Sequence, residues 1–249
     1  MSEIQVQNMS DKVAVKRPGF FTRVLWLFTS PGRLMEELAQ KPRVLFWLIA
    51  GGVAIVLPFI ARMPLYEDFL RKTMLSQSDY MESFGFEMTP EMIEASMPAS
   101  IVGGLVGAPF GAWAGLPIIA LIFFAILKVM GGKGSFKAYL SVAVHANIIM
   151  VLYYLILIPI SYITGSLHQS ASLTSLGSLV APEETNPYLF GLLVGLDIFA
   201  IWRFAVMAIG FTAVSELKKK HVYIVTATVF IIGLIYGIFS MPAALQLLQ

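Results

Sequence analysis

The sequence predicts an all-α integral membrane protein: a bundle of five transmembrane helices, N-terminus cytoplasmic, C-terminus outside, with a short amphipathic helical segment ahead of the first span. Three observations predict it. Of 249 residues, 57% are hydrophobic and only 13% charged, about half the charge of a soluble domain. The apolar residues come in long blocks rather than amphipathic periods, and mean hydropathy is +0.78. Finally, Lys and Arg gather in alternate gaps between the blocks.

Residues 1–18 are polar and aperiodic and read as a disordered tail. They show no signal-peptide pattern. Residues 19–43 read as an interfacial, cytoplasmic helical segment. Phe20–Phe28 is one helix suited to the membrane surface. A second runs Pro31–Gln40, with Ser30 as N-cap and Pro31 in the first turn. This segment is either a membrane-resting anchor or a surface for a protein partner.

Residues 44–249 hold the membrane domain. A spanning helix needs about 20 apolar residues, and five segments qualify: Val44–Ile60, Ile101–Met130, Ala138–Ile163, Leu189–Ser215 and Val222–Ser240. The acidic outer loop 61–100 carries two short helices, one starting at Thr89-Pro90-Glu91. Its acids lack the alternating pattern of a calcium loop and read first as a solvated face. The second outer loop, Gly165–Tyr188, is rich in Ser, Thr and Gly and reads as a flexible cap. Asn186-Pro187 is the turn into span four.

Charge orients the bundle. Lys12, Lys16, Arg17, Arg23, Arg33, Lys41 and Arg43 precede span one. Lys128, Lys133 and Lys137 lie between spans two and three, and Lys218, Lys219 and Lys220 between four and five. That places thirteen of the 17 basic residues on one side, the cytoplasmic side of a plasma membrane, with a bacterial inner membrane the natural setting. The net charge of +2 implies no nucleic-acid partner. The chain has no Cys, which excludes thiolate chemistry, disulfides and Cys-based metal sites.

Small residues mark helix contacts. Gly103, Gly107, Gly111 and Gly115 recur every four residues in span two, with Gly104, Ala108 and Ala112 in a second row beside them. Gly191 and Gly195 lie in span four, and Gly233 and Gly237 in span five. Such rows let helix backbones approach in lipid. Bundle packing comes first; homodimerisation through span two, or a hinged path, are the alternatives.

Ionisable groups inside a span need a reason. Asp197 and Arg203 share span four. Six residues apart, they point about 120° apart with a rise of about 9 Å, but a long Arg side chain leans back toward Asp197. His145 and Asn147, with Ser141 on the same face as His145, are polar partners from span three, and Tyr153 and Tyr154 could extend the network. These residues form a proton, ion or substrate path, a protein–protein contact in the membrane or, first, a structural ion pair or polar network. On that reading, Arg203→Ala lowers folded yield more than Asp197→Asn does. No metalloprotease helix, phosphate loop, nucleophile elbow or His/Glu cluster at ligand spacing is present. The expectation is therefore no enzyme, no metal and no cofactor.

Three stretches together resemble the Yip-domain (Ypt-interacting-protein-like) family of five-span membrane proteins. They are Phe28-Thr29-Ser30-Pro31-Gly32-Arg33-Leu34, Gly131-Gly132-Lys133-Gly134-Ser135-Phe136, and Asp197-Ile198-Phe199-Ala200-Ile201-Trp202 with Gly210 and the Lys218–Lys220 turn after it. The resemblance covers Phe20 to the end and implies a five-helix bundle with a cytoplasmic N-terminus. Eukaryotic members are linked to Rab-type GTPases. Their Asp-Leu-Tyr-Gly-Pro motif is absent here, which points to the prokaryotic branch and puts a GTPase partner in doubt. The implied role is that of a non-enzymatic adaptor or membrane-organising factor, its partners the bilayer and other membrane proteins or a second copy. The alternative is a small transporter or channel built on Asp197, Arg203 and His145.

Overall fold

A computed structural model of the chain describes residues 18–82, 85, 89–167 and 172–246. The tail 1–17 and His168 lie outside them. Among the described residues ten α-helices run in order: α1 (Phe20–Thr29), α2 (Pro31–Gln40), α3 (Leu45–Ala61), α4 (Met63–Glu82), α5 (Pro90–Val129), α6 (Phe136–Ala146), α7 (Ile148–Thr164), α8 (Pro187–Gly195), α9 (Ile198–Ser215) and α10 (Lys219–Gln246). Among the same residues there is no strand, only an isolated bridge between Ser175 and Asp197.

Local chemistry sets the boundaries. Pro31, Pro90 and Pro187 each open a helix, where the missing N–H costs nothing. The Thr89 hydroxyl accepts from Met92 N at 3.3 Å, and Asn186 accepts from Tyr188 N at 3.0 Å. Ser30 stands at the N-cap of α2 but makes no side-chain cap bond. At their ends, α7 and α9 close on left-handed residues, Gly165 and Glu216.

Four stretches are long and apolar enough to cross a bilayer: Pro90–Val129, Phe136–Thr164, Ile198–Ser215 and Lys219–Pro242. A bent pair, Leu45–Ala61 with Met63–Leu75, passes the same test only jointly, across a 73° bend. The bend follows Pro58. There Arg62 N turns to Phe59 O, and Arg62 Nε takes the Pro58 carbonyl at 3.1 Å. Two differences from the sequence expectation stand out. Span two begins at Pro90 rather than Ile101, so the second loop helix is its first turns. Span four is two helices, parted at Leu196 and Asp197.

The core lies at the end of the bundle that carries the Lys-rich turns. Phe123 of α5, Tyr139 of α6 and Phe211 of α9 stack there, with ring centroids 4.4 Å and 5.5 Å from that of Phe211. The N-terminal hairpin belongs to this core. Leu27, Leu34, Met35 and Leu38 are fully buried, and α2 packs along α9 and against α6. An amphipathic helix suited to a membrane surface is equally suited to a bundle groove; here the groove takes it. Gly210 makes the groove, because a Cβ there would sit 2.8 Å from Met35 Sδ and nearer still to Val142. In contrast, α10 leaves Ile231, Ile232, Ile235, Tyr236 and Phe239 exposed, the composition of a lipid-facing surface.

The glycine rows separate. Gly191 approaches the backbone of α10, where a Cβ would lie 2.9 Å from Ile238 Cα, and Gly195 meets Leu234. On the second row of α5, Gly104 faces Phe59 and Tyr66. Its partner α3 uses a glycine the spacing does not flag, Gly52, seated under the Trp113 ring, while Trp113 Nε1 donates to Leu48 O at 3.0 Å. A Cβ at Gly103, Gly107, Gly111 or Gly115 would meet nothing, and the same holds at Gly233 and Gly237. The longest row thus faces out of the chain.

Gly210→Val is expected to lower stability by about 1–3 kcal/mol, the usual cost of overpacking, while Gly107→Ala leaves it unchanged. Thermal unfolding of the purified protein in detergent tests both; equal melting temperatures for all three forms would refute the groove.

Candidate functional site

The polar groups gather in three places, two of them on α9. The first is the gap between α8 and α9. Asp197 has extended backbone and caps α9: one carboxylate oxygen accepts from Ala200 N at 2.9 Å. The other accepts from Ser172 Oγ at 2.5 Å and Thr174 Oγ1 at 2.6 Å. Backbone joins in, with Ile198 N donating to Thr174 O and Leu176 N to Leu196 O, both at 3.3 Å. The segment read as a flexible cap packs, over residues 172–179, against the helix break. Gly177 allows the contact, since a Cβ there would lie 2.6 Å from Val194 Cγ2. A carboxylate at a helix N-terminus also meets the favourable end of the dipole.

The second place is where α6 passes into α7. Arg203 Nη1 donates to Asn147 Oδ1 at 3.4 Å, its guanidinium lies 5.5 Å from the Phe204 ring, and its Nε is buried without a partner. Arg203 makes no ion pair with Asp197, because α9 starts only at Ile198. As the cap, Asp197 turns its carboxylate to the first-turn amides and the two hydroxyls. His145 lies apart from both. Its Nδ1 is 2.7 Å from the Ser141 carbonyl, which can only accept, so Nδ1 carries the proton. The imidazole packs 4.7 Å from Trp47, and Nε2 is buried and unpaired. Tyr153 packs on Phe199 and Tyr154.

The third place has no counterpart in the sequence reading. Arg23 of α1, only 5% exposed, donates from Nε and Nη2 to both oxygens of Glu37 of α2, at 2.9 Å and 2.8 Å. Arg43 Nε is 3.9 Å from the same carboxylate. Ser141 clamps the Arg43 backbone, accepting from its N–H and donating to its carbonyl, each at 3.0 Å. Burial pushes the Glu37 carboxyl up, but the Arg23 bonds and charge, with Arg43, outweigh it and hold it below the ordinary 4.5. Residues 14 apart on two helices leave no periodic signal. The one clue was an Arg on the apolar side of α1.

The Gly131–Phe136 turn closes the same end of the bundle. Gly131 and Gly134 have φ of 86° and 79°, open to glycine. Lys133 N donates to Ser215 O, and Lys133 Nζ pairs with Glu216, both at 2.8 Å. The Tyr139 hydroxyl donates to Lys133 O at 3.2 Å. Phe28, from the first of the three resembling stretches, packs edge-on to Trp202 from the third, 5.1 Å between centroids. The three stretches thus converge on α9.

An all-helical bundle of long apolar helices, its polar groups spent on caps, turns and one ion-paired hairpin, defines a multi-pass membrane protein. The chain belongs to the Yip1 domain family, whose description matches residues 26–241. It is 26% identical over 230 residues, 91% of each chain, to the "Membrane protein YknW" of Bacillus subtilis (strain 168). No solved structure matches the chain.

Asp197→Ala strands two hydroxyls and a cap, and is expected to cost about 1–3 kcal/mol. Asp197→Asn keeps an acceptor at the cap and costs less. Folded yield and thermal unfolding compare the two, and parity between them would count against the cap. Glu37 adds a pH effect. Its depressed pKa gives stability that is complete above the unfolded value of 4.5 and is lost as pH falls through the folded value. The acid limb of a melting-temperature profile should therefore be flatter in Glu37→Gln; an unchanged profile would remove Glu37 from the account.

Proposed function

We propose that this chain is a non-enzymatic, five-span adaptor or membrane-organising protein of the plasma membrane, the inner membrane in a bacterium. Its N-terminus is cytoplasmic and its C-terminus outside. The bent pair starting at Leu45 counts as the first span. Support for the orientation comes from the basic turns at Lys128–Lys137 and Lys218–Lys220, which the fold brings to the end of the bundle that holds the N-terminal hairpin.

The observation that carries the adaptor reading is the outward row Gly103, Gly107, Gly111 and Gly115 of α5. In lipid, close backbone approach between helices relies on such small-residue faces. This one is unused within the chain, and it is the face we assign to a membrane-protein partner or a second copy. Transport through Asp197, Arg203 and His145 draws no support from the geometry. The Asp197 carboxylate is taken up by three donors, and the three side chains stand apart.

The natural chain has no Cys, so Gly107→Cys gives a single crosslinking handle. In native membranes it should form a discrete crosslinked species, identifiable by mass spectrometry, and Gly111→Leu on the same background should abolish it. A handle that stays monomeric, or a Leu that changes nothing, would overturn the assignment. Labelling of Ser10→Cys from the cytoplasmic side and Gln249→Cys from the outside checks the orientation.

A further inference from the structure

We propose that the cavity between α1, the α2–α3 link and the start of α6 holds the headgroup of an anionic phospholipid. Its volume is about 660 Å³. Three cations reach it from three elements: Arg23, Arg43 and Lys137. Glu37 neutralises one of them, Arg23, through two hydrogen bonds. The guanidinium of Arg43, 40% exposed, shares that carboxylate only at 3.9 Å, and Lys137 is exposed. The site therefore keeps a net positive charge.

The backbone adds to it. Ser135 precedes α6 without capping it by its side chain. The first amides of the helix, at Phe136 and Lys137, have no carbonyl partner within it, and both residues line the cavity. Such amides suit a phosphate oxygen. Arg43 is fixed in place, since Ser141 holds its backbone in both directions.

The other wall is apolar. Phe20, Leu45 and Phe46 line it, and Leu45 and Phe46 are 71% and 61% exposed at the first turn of α3. Arg43 stands two residues before that apolar helix, so a headgroup held there would lay its acyl chains along Leu45 and Phe46. A free anion has no use for the apolar wall; a phospholipid uses both. Basic pockets beside spanning helices recognise such headgroups. This inference is independent of the adaptor reading and holds for either leaflet.

Native mass spectrometry of the full chain in mild detergent tests it, titrating phosphatidylglycerol, phosphatidylcholine and inorganic phosphate in parallel. Wild type should retain phosphatidylglycerol over phosphatidylcholine, with millimolar phosphate unable to displace it. Losing both Arg43→Gln and Lys137→Gln charges should weaken retention about thirtyfold, at the usual contribution per basic residue near a membrane. Lys218→Gln with Lys220→Gln, equal charge on a different turn, should change it less than about threefold. Should the first pair fail to fold, Lys137→Gln alone carries the test, at about fivefold. Equal weakening in both pairs, no weakening in the first, or displacement by inorganic phosphate would overturn the proposal.

Discussion

In lipid, an interrupted helix must find hydrogen-bond partners for the amides and carbonyls it frees, because no water is there to take them. This chain interrupts its apolar helices at Arg62, at Asn147 and at Leu196–Asp197, and at the first and last of these the surrounding fold answers that need. At Ala61 the helix end is served by Arg62 and by Tyr162, whose hydroxyl donates to Ala61 O at 2.7 Å. At Asp197 a whole loop segment folds back to supply two hydroxyls and two backbone bonds. Residues 172–179 thus pack where span four breaks.

Helix α9 collects most of these demands. Its first turn is capped by Asp197, its middle opens at Gly210 to admit α2, and its last residues receive the Gly131–Phe136 turn. Each contact fixes another element: the outer loop, the N-terminal hairpin, the link between α5 and α6. The residues that give the chain its family resemblance are spread along the sequence, yet they share α9 as their partner. That shared partner accounts for their spacing better than any common chemistry does, since Phe28, Gly134 and Gly210 offer shape rather than reactive groups.

Much of this was legible in the sequence. Long apolar runs forced helices, and Thr89-Pro90 and Asn186-Pro187 marked starts that the structure keeps. The break in span four was not legible, because Asp197 sits in an apolar run that reads as uninterrupted helix, and the hydroxyls that satisfy it come from a loop more than twenty residues earlier. The docking of α2 was hidden for a different reason. Leu34, Met35 and Leu38 make the same stripe whether it meets lipid or protein. Glycine spacing named the rows on α5 without saying which one faces inward, and the answer lay in the bulky partners, Phe59 and Tyr66, rather than in the glycines. The Arg23–Glu37 pair left no periodic signal, since its two charges belong to different helices; an Arg on the apolar side of α1 was the one clue.

The distribution of unmet demand argues about where stability and function part. Asp197 is well supplied, with three donors on two oxygens. Arg203 and His145 are under-supplied, each with a buried nitrogen lacking a partner. Replacing buried ionic groups with apolar side chains of similar volume is often neutral or stabilising. Arg203, partly buried, holds only the 3.4 Å bond to Asn147 and the contact with the Phe204 ring. The Asp197 node is explained by the architecture it holds together; the Arg203–Asn147 contact is not. Of the two ionisable residues of span four, the packing thus satisfies Asp197 fully and Arg203 only in part.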